Sequence, residues 1–180
     1  MENFNLIGVV DVSSVKKLMS FSDKLFADND FRQRHVLSPH RDTETIFLRW
    51  PVFTGNFLKD LQNAMLNVPS IEHEPMCIPP FFTLVDQVEN VLGRAVERAI
   101  VVRLKVGGTI TPHIDEGEFA DSTERYHIPI EAHPGSVAIV EDEIVSMQEG
   151  EVWWFDKHKL HSFSNKSLKP RTHLIVDVLK

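Results

Sequence analysis

Two residues that could bind one metal ion lie close together in the segment Thr-Pro-His-Ile-Asp, at His113 and Asp115. Side chains alternate across a β-strand, so residues two positions apart project to the same side and can reach the same ion. A His-x-Asp pair is weak evidence by itself, because a turn around Asp115 is an ordinary alternative. The pair therefore needs support from the elements that surround it.

The second half of the chain predicts a β-rich frame for this pair. From residue 98 onward, short runs of β-branched and aromatic residues alternate with Gly, Pro or charged turns, as in AIVVRLKV, RYHIPI, SVAIV, EVWWFD, LHSFS and THLIVDV. Closely spaced antiparallel strands after a helical region favour a mainly β fold. We expect a double-stranded β-helix, that is, a cupin-like jelly roll, with N-terminal α-helices packed on it. An ordinary β-sandwich is the competing architecture.

The first 97 residues have a mixed pattern that predicts a supporting region. Apolar and β-forming runs predict strands at 6–10 and 43–50, and helical spacing predicts helices that begin at Ser13, at residue 56 and near residue 81. The length suits one domain over 1–180, with a helical support region at 1–97 that includes one or two strands and a jelly-roll core at 98–180.

Two of the predicted strands carry an unexpectedly polar face. In RYHIPI, Arg125 and His127 share a face with Pro129, while Tyr126, Ile128 and Ile130 occupy the other. In THLIVDV and the residue before it, Arg171, His173 and Asp177 share a face with Ile175. Buried charges are costly unless partners or a metal compensate for lost hydration. The pattern therefore predicts a barrel interior that holds a ligand.

Composition narrows the function classes. A net charge of -7 over 180 residues argues against general nucleic-acid binding, which depends on Lys and Arg. The single cysteine excludes an intramolecular disulfide and a thiolate zinc cluster. The absence of a secretory pattern and of a long apolar run predicts a cytoplasmic protein without a membrane partner. Oligomeric state is not predicted.

Four segments in order, PHID, RYHIPI, GEVWWFDKHKLHSFSN and PRTHLIVDV, give the chain a family resemblance. Over roughly residues 98 to 178 it resembles the aspartyl/asparaginyl β-hydroxylase family of Fe(II)- and 2-oxoglutarate-dependent dioxygenases. The resemblance implies an enzyme that uses Fe(II), 2-oxoglutarate as cosubstrate, and O2. Its substrate would be a small-molecule amino acid or a peptide, hydroxylated on an amino acid or on an Asp-, Asn- or Pro-like side chain.

The resemblance also implies roles for individual residues. The family's F-D-x-x-x-x-H pattern falls on Phe155, Asp156 and His161, which selects His161 over His158 as the distal iron ligand. The implied catalytic metal ligands are His113, Asp115 and His161, and the implied cosubstrate and substrate contacts are Arg171, His127 and Arg125. Arg171 would bind the far carboxylate of 2-oxoglutarate with two parallel hydrogen bonds. His127 would approach its metal-side carboxylate, and Arg125 would meet a substrate carboxylate.

Other interpretations remain open at the level of sequence. A cupin-type zinc or manganese isomerase or hydrolase would use His-x-His and a nearby Glu, for which this chain offers Asp115 in place of the second His, and Glu118. A non-catalytic binding module on the same barrel is a third possibility. We interpret His158 and His173 as surface residues or as residues that support the ligands.

Overall fold

In a computed structural model, which describes residues 2–21, 26, 38–49 and 79–180, the chain forms ten strands and three helices in those ranges. The strands are β1 (Phe4–Val9), β2 (Thr43–Arg49), β3 (Arg98–Leu104), β4 (Thr109–His113), β5 (Thr123–Glu131), β6 (Ser136–Val140), β7 (Glu143–Val145), β8 (Glu151–Phe155), β9 (His161–Asn165) and β10 (Arg171–Leu179). The helices are α1 (Ser13–Phe21), α2 (Pro79–Leu92) and α3 (Glu118–Ser122). None of the described helices is long and apolar enough to cross a membrane.

Two antiparallel sheets form the jelly roll that the sequence predicts. The larger sheet has the strand order β1-β8-β5-β10-β3-β2, and the smaller has the order β4-β9-β6-β7. Strands that are distant in the chain pair with one another, as β5 does with β10 and β4 with β9. The N-terminal strands β1 and β2 are the two edges of the larger sheet, so the first 97 residues contribute to the barrel itself.

Helices α1 and α2 cover the outer face of the larger sheet. Helix α1 packs against α2 and β5, and α2 packs against β1. The core between them includes the apolar face of β10 at Leu174, Val176 and Val178, together with Tyr126 and Ile128 of β5. This burial confirms the predicted alternation on both strands and leaves their polar faces for the space between the two sheets.

The interior between the sheets is partly apolar and partly polar. Leu104, Ile110, Phe155 and Phe163 belong to its apolar cluster. Buried polar side chains lie on the same interior, and they include His127, His161, Arg171, His173 and Asp177. The barrel therefore has the polar interior that the sequence predicts.

The structure departs from the sequence predictions in three places. Helix α3 lies between Asp115 and Arg125, where no helix is predicted, and its five residues are too few for a recognisable helical repeat. Strand β7 is also not predicted, because it has only three residues. The expectation that His113 and Asp115 lie on one strand is wrong, since β4 ends at His113 and Asp115 lies in the loop that follows. The helix predicted at 56–67 lies outside the described residues.

Candidate metal centre

Strand pairing brings the three predicted ligands together. His113, at the end of β4, is the Cα partner of His161, at the start of β9, and their ring centroids are 4.2 Å apart. Asp115 follows two residues after His113, and its Oδ1 lies 3.6 Å from His113 Nε2. One ligand atom from each of the three lies within 4.8 Å of the others. Bonds of about 2.0 to 2.2 Å to one first-row metal ion require only a small approach from this geometry.

Both histidines are held so that Nε2 is available to an ion. Nδ1 of His113 lies 2.8 Å from the carbonyl oxygen of Thr111, and Nδ1 of His161 lies 3.0 Å from that of Lys159. A carbonyl oxygen only accepts, so in the neutral ring Nδ1 donates the proton and Nε2 keeps its lone pair. In both histidines, Nδ1 contacts the carbonyl oxygen of the residue two positions earlier. This contact favours the tautomer with the proton on Nδ1, which leaves Nε2 free to bind a metal.

The charge states of two ligands also suit a cation. Burial lowers the pKa of His161 to about 4, so its imidazole is neutral at physiological pH. Burial alone would raise the pKa of Asp115, but the charge of Arg125, together with the neighbouring imidazoles and Lys157, outweighs burial and holds that pKa below its ordinary value. The site therefore presents a carboxylate and a neutral imidazole without any change of protonation.

Arg125 contacts two carboxylates. Its Nη1 donates to Asp115 Oδ2, and its Nε donates to Asp177 Oδ1 at 2.9 Å. Asp177 is fully buried and also accepts from Arg98 Nε at 2.7 Å, while Lys157 Nζ lies 3.7 Å from it. Arg125 thus lies beside the candidate ligand Asp115, and two of its donors are already bound by protein carboxylates.

Arg171 lies inside the barrel with its guanidinium almost fully buried. Its Nε donates to His173 Nε2 at 2.8 Å, and its Cζ lies 4.9 Å from the centre of the Phe163 ring. Burial lowers its pKa to about 9, which leaves it charged at neutral pH. Within the part of the chain that the structure describes, no carboxylate forms an ion pair with this guanidinium.

His127 contacts aromatic rings that also contact the candidate ligand His161. Its ring stacks on Phe163 at 5.0 Å and meets the Phe155 ring edge to face at the same distance. The His173 ring lies 5.7 Å away on another side. Since His161 also contacts Phe155 and Phe163, these aromatic rings connect the metal ligands to Arg171 through one interior.

Comparison with known proteins decides the family. A sequence profile of the aspartyl/asparaginyl beta-hydroxylase family matches residues 58–180, more than half of the chain. The chain belongs to that family. The match includes all of the predicted site residues.

One curated relative and one solved structure show how far the likeness extends. The L-proline cis-4-hydroxylase of Rhizobium meliloti (strain 1021) is 34% identical over 83 residues, which are 46% of this chain and 30% of that enzyme. The match thus covers less than a third of the relative's length. The viral collagen prolyl hydroxylase of Paramecium Bursaria Chlorella virus-1, crystallised with 2OG, matches with a TM-score of 0.57 and 12% identity. That match covers 98% of this chain and 95% of the other, and it shows the shared fold.

Four other residues of this aspartyl/asparaginyl beta-hydroxylase family member bear on the alternative ligands and on the cupin-type alternative. His158 is exposed, with Nδ1 3.8 Å from Asp121, whereas His173 is buried against Arg171. Glu118 is exposed and is not among the clustered ligand atoms of the described residues, as a cupin-type site would require. The ring of His40, in the loop before β2, lies 5.4 Å from that of His113.

Sequence reasoning missed part of this arrangement. The contact between the rings of His40 and His113 is not predicted, because the loop before β2 has no periodicity that could place His40. The shared face of β10 gave a usable signal for His173 and Asp177, since both alternate with the apolar residues. No signal in the sequence indicated that Lys157 would be buried one position after Asp156.

Proposed function

We propose that this protein is an Fe(II)- and 2-oxoglutarate-dependent dioxygenase that hydroxylates an amino acid, free or within a peptide. The observation that supports this most is the combination of two features in one barrel interior. Two imidazoles and one carboxylate converge there, and a buried guanidinium without a carboxylate partner among the described residues lies against Phe163 of the same interior.

The donor set fits Fe(II). Two neutral imidazoles and one carboxylate are the ligands of the facial triad of non-haem iron oxygenases, which leaves three metal positions open. His113, Asp115 and His161 would hold the ion through the two Nε2 atoms and one carboxylate oxygen. Membership of the family supports the same assignment.

Arg171 fits the far carboxylate of 2-oxoglutarate. A buried cation without a counter-ion is unfavourable, and an anionic ligand would remove that cost. The guanidinium offers parallel donors to a carboxylate, and His173 already accepts from one edge of it. His127, whose ring contacts both Phe163 and His173, is the residue that we propose to donate to the metal-side carboxylate of the same molecule.

When bound, iron together with 2-oxoglutarate and O2 supplies the oxidising chemistry that converts a C–H bond to C–OH, with succinate and CO2 as coproducts. The side chains of this protein bind, orient and shield. His113 and His161 keep their Nε2 lone pairs toward the ion because backbone carbonyls hold Nδ1. Phe155 and Phe163 line the interior and would shield a bound cosubstrate from water.

The substrate proposal is an amino acid or a peptidyl Asp-, Asn- or Pro-like side chain. The family description and the likeness to an L-proline cis-4-hydroxylase support it. Arg125, with side-chain exposure of 15% at the metal site, is the residue proposed to meet a substrate carboxylate with a donor that its two protein partners leave available.

The test is a turnover assay with a substrate panel. Purified protein with Fe(II), 2-oxoglutarate and O2 is incubated with free amino acids, L-proline among them, and with peptides containing Asp, Asn or Pro. We expect succinate release that depends on one substrate, and a product heavier by one oxygen atom. His113→Ala should abolish both. Hydrolysis or isomerisation supported by zinc or manganese, without succinate, would contradict the proposal and favour the cupin-type alternative.

A further inference from the structure

The metal ligand Asp115 needs support that its own strand does not provide. Strand β4 ends at His113, so Asp115 lies in the loop that follows, and Gly117, with φ of 101°, turns the chain two residues later. Such a positive φ favours glycine. Ligands on loops are held less exactly than ligands on strands, unless neighbouring groups fix them.

The structure shows that support at two points. The backbone N–H of Asp115 donates to the carbonyl oxygen of Lys157 at 3.0 Å. Its carboxylate is contacted through Oδ2 by Arg125 Nη1, while Oδ1 is the oxygen that lies 3.6 Å from His113 Nε2. The two oxygens therefore have different neighbours: Oδ2 is bound by the Arg125 guanidinium, and Oδ1 lies near the His113 imidazole.

Arg125 is itself bound by a second carboxylate, that of Asp177. Its Nε donates to Oδ1 of Asp177, whose carboxylate is fully buried on β10 in the middle of the larger sheet. Arg98 donates to Oδ2 of the same carboxylate. The Arg125 guanidinium is therefore held by two hydrogen bonds, from Nε to Asp177 and from Nη1 to Asp115.

We propose that Asp177 and Arg125 are positioning residues for the iron site, which together orient Asp115 so that it binds metal through Oδ1 alone. This carboxylate support, defined as Asp177 and Arg125 acting on Asp115, connects a central strand of the larger sheet to a ligand in the loop that follows β4 of the smaller sheet. It rests on the metal site of the proposed function, but not on the identity of the substrate. A carboxylate that binds through one oxygen occupies one metal position. With the two imidazoles it leaves three positions open, which the proposed chemistry needs.

The test measures metal affinity rather than turnover. Mn(II), which binds the same hard oxygen and nitrogen donors and is stable in air, is titrated into the full-length protein, and free Mn(II) is followed by electron paramagnetic resonance. We expect Arg125→Met to weaken Mn(II) binding about 10- to 100-fold, as losses of groups that orient metal ligands typically do. Asp177→Asn should also weaken Mn(II) binding, measured on protein that circular dichroism shows to be folded.

A double-mutant cycle separates this role from general damage to the fold. In an Asp115→Ala background, Arg125→Met should change Mn(II) affinity less than about 2-fold, because its target is gone. Arg94→Met is the matched control, since Arg94 pairs with Glu124 and Tyr126 on the outer face of β5. It should leave Mn(II) affinity unchanged.

Each outcome decides between the two claims. An Arg125→Met loss below about 3-fold, or an equal loss with and without Asp115, overturns the carboxylate support. No Mn(II) binding by the wild-type protein overturns both the support and the proposed function. Normal Mn(II) binding with the expected cycle, but no response of the Fe(II) protein to 2-oxoglutarate, leaves the support intact and overturns the proposed function alone.

Discussion

Neutralising Asp177 should destabilise the protein strongly at pH 7. Burial would raise the pKa of this carboxyl, but Arg125 and Arg98 outweigh burial and lower it from 3.8 to about 2. That difference corresponds to about 2 kcal/mol of folding free energy carried by the ionised form. In Asp177→Asn, an amide group replaces the carboxylate that accepts from Arg125 and Arg98, so these buried cations lose their anion. Removing one partner of a buried ion pair costs about 3 to 5 kcal/mol. We therefore expect a loss of about 2 to 5 kcal/mol, or a fall in Tm of about 5 to 15 °C.

The measurement is urea unfolding of both proteins at several pH values. A lowered carboxyl pKa gives stability that is fully present above the unfolded pKa of 3.8 and is lost as pH falls through about 2. The difference between wild type and Asp177→Asn should therefore shrink by about 2 kcal/mol over that window. Asp142→Asn, at an exposed position, is the matched control and should change little. A pH 7 difference within about 0.5 kcal/mol would refute the reasoning, since that is the usual range for surface substitutions.

Three further predictions concern the barrel interior. Arg171→Met should weaken 2-oxoglutarate binding about 100-fold while Fe(II) affinity changes less than about 3-fold, measured by separate titrations; equal losses would contradict the assigned role. His173→Phe should raise the KM for 2-oxoglutarate about 10-fold with little change in Fe(II) affinity, because Arg171 loses the acceptor for its Nε; an unchanged KM would count against it. The metal-free protein should lose about 3 kcal/mol of stability as pH falls from 6.5 to about 4. Burial lowers the pKa of His161 from 6.5 to about 4 in the folded protein, so between these pH values the unfolded chain protonates this imidazole and the folded protein does not. His161→Gln should lack this loss, and an identical pH profile for the variant would be inconsistent with a buried neutral His161.

The alternation of polar and apolar residues made much of the barrel predictable. On β5 and β10, one face is apolar and packs under the helices, while the other carries Arg125, His127, Arg171, His173 and Asp177. A period of two residues sorts side chains between faces without knowledge of the partner strands. The mainly β jelly roll was therefore predictable, and so was its polar interior.

What the sequence could not provide is which residues meet across strands. The contact of Arg125 with both Asp115 and Asp177 joins positions 10 and 52 residues apart in the chain. The approach of His113 to His161 depends on the register of β4 against β9. Register follows from long-range pairing and turn geometry, which local patterns do not determine. The short helix α3 was missed for the opposite reason, because five residues carry too little periodicity.

Anaerobic addition of Fe(II) and then 2-oxoglutarate to the full-length protein tests the central claim most directly. If His113, Asp115 and His161 hold iron with Arg171 at the far carboxylate of the cosubstrate, a visible charge-transfer band should appear only when both are present. His113→Ala should remove this band, and Arg171→Met should require more 2-oxoglutarate to produce it. A folded protein that binds metal yet gives no band at saturating 2-oxoglutarate would contradict the account.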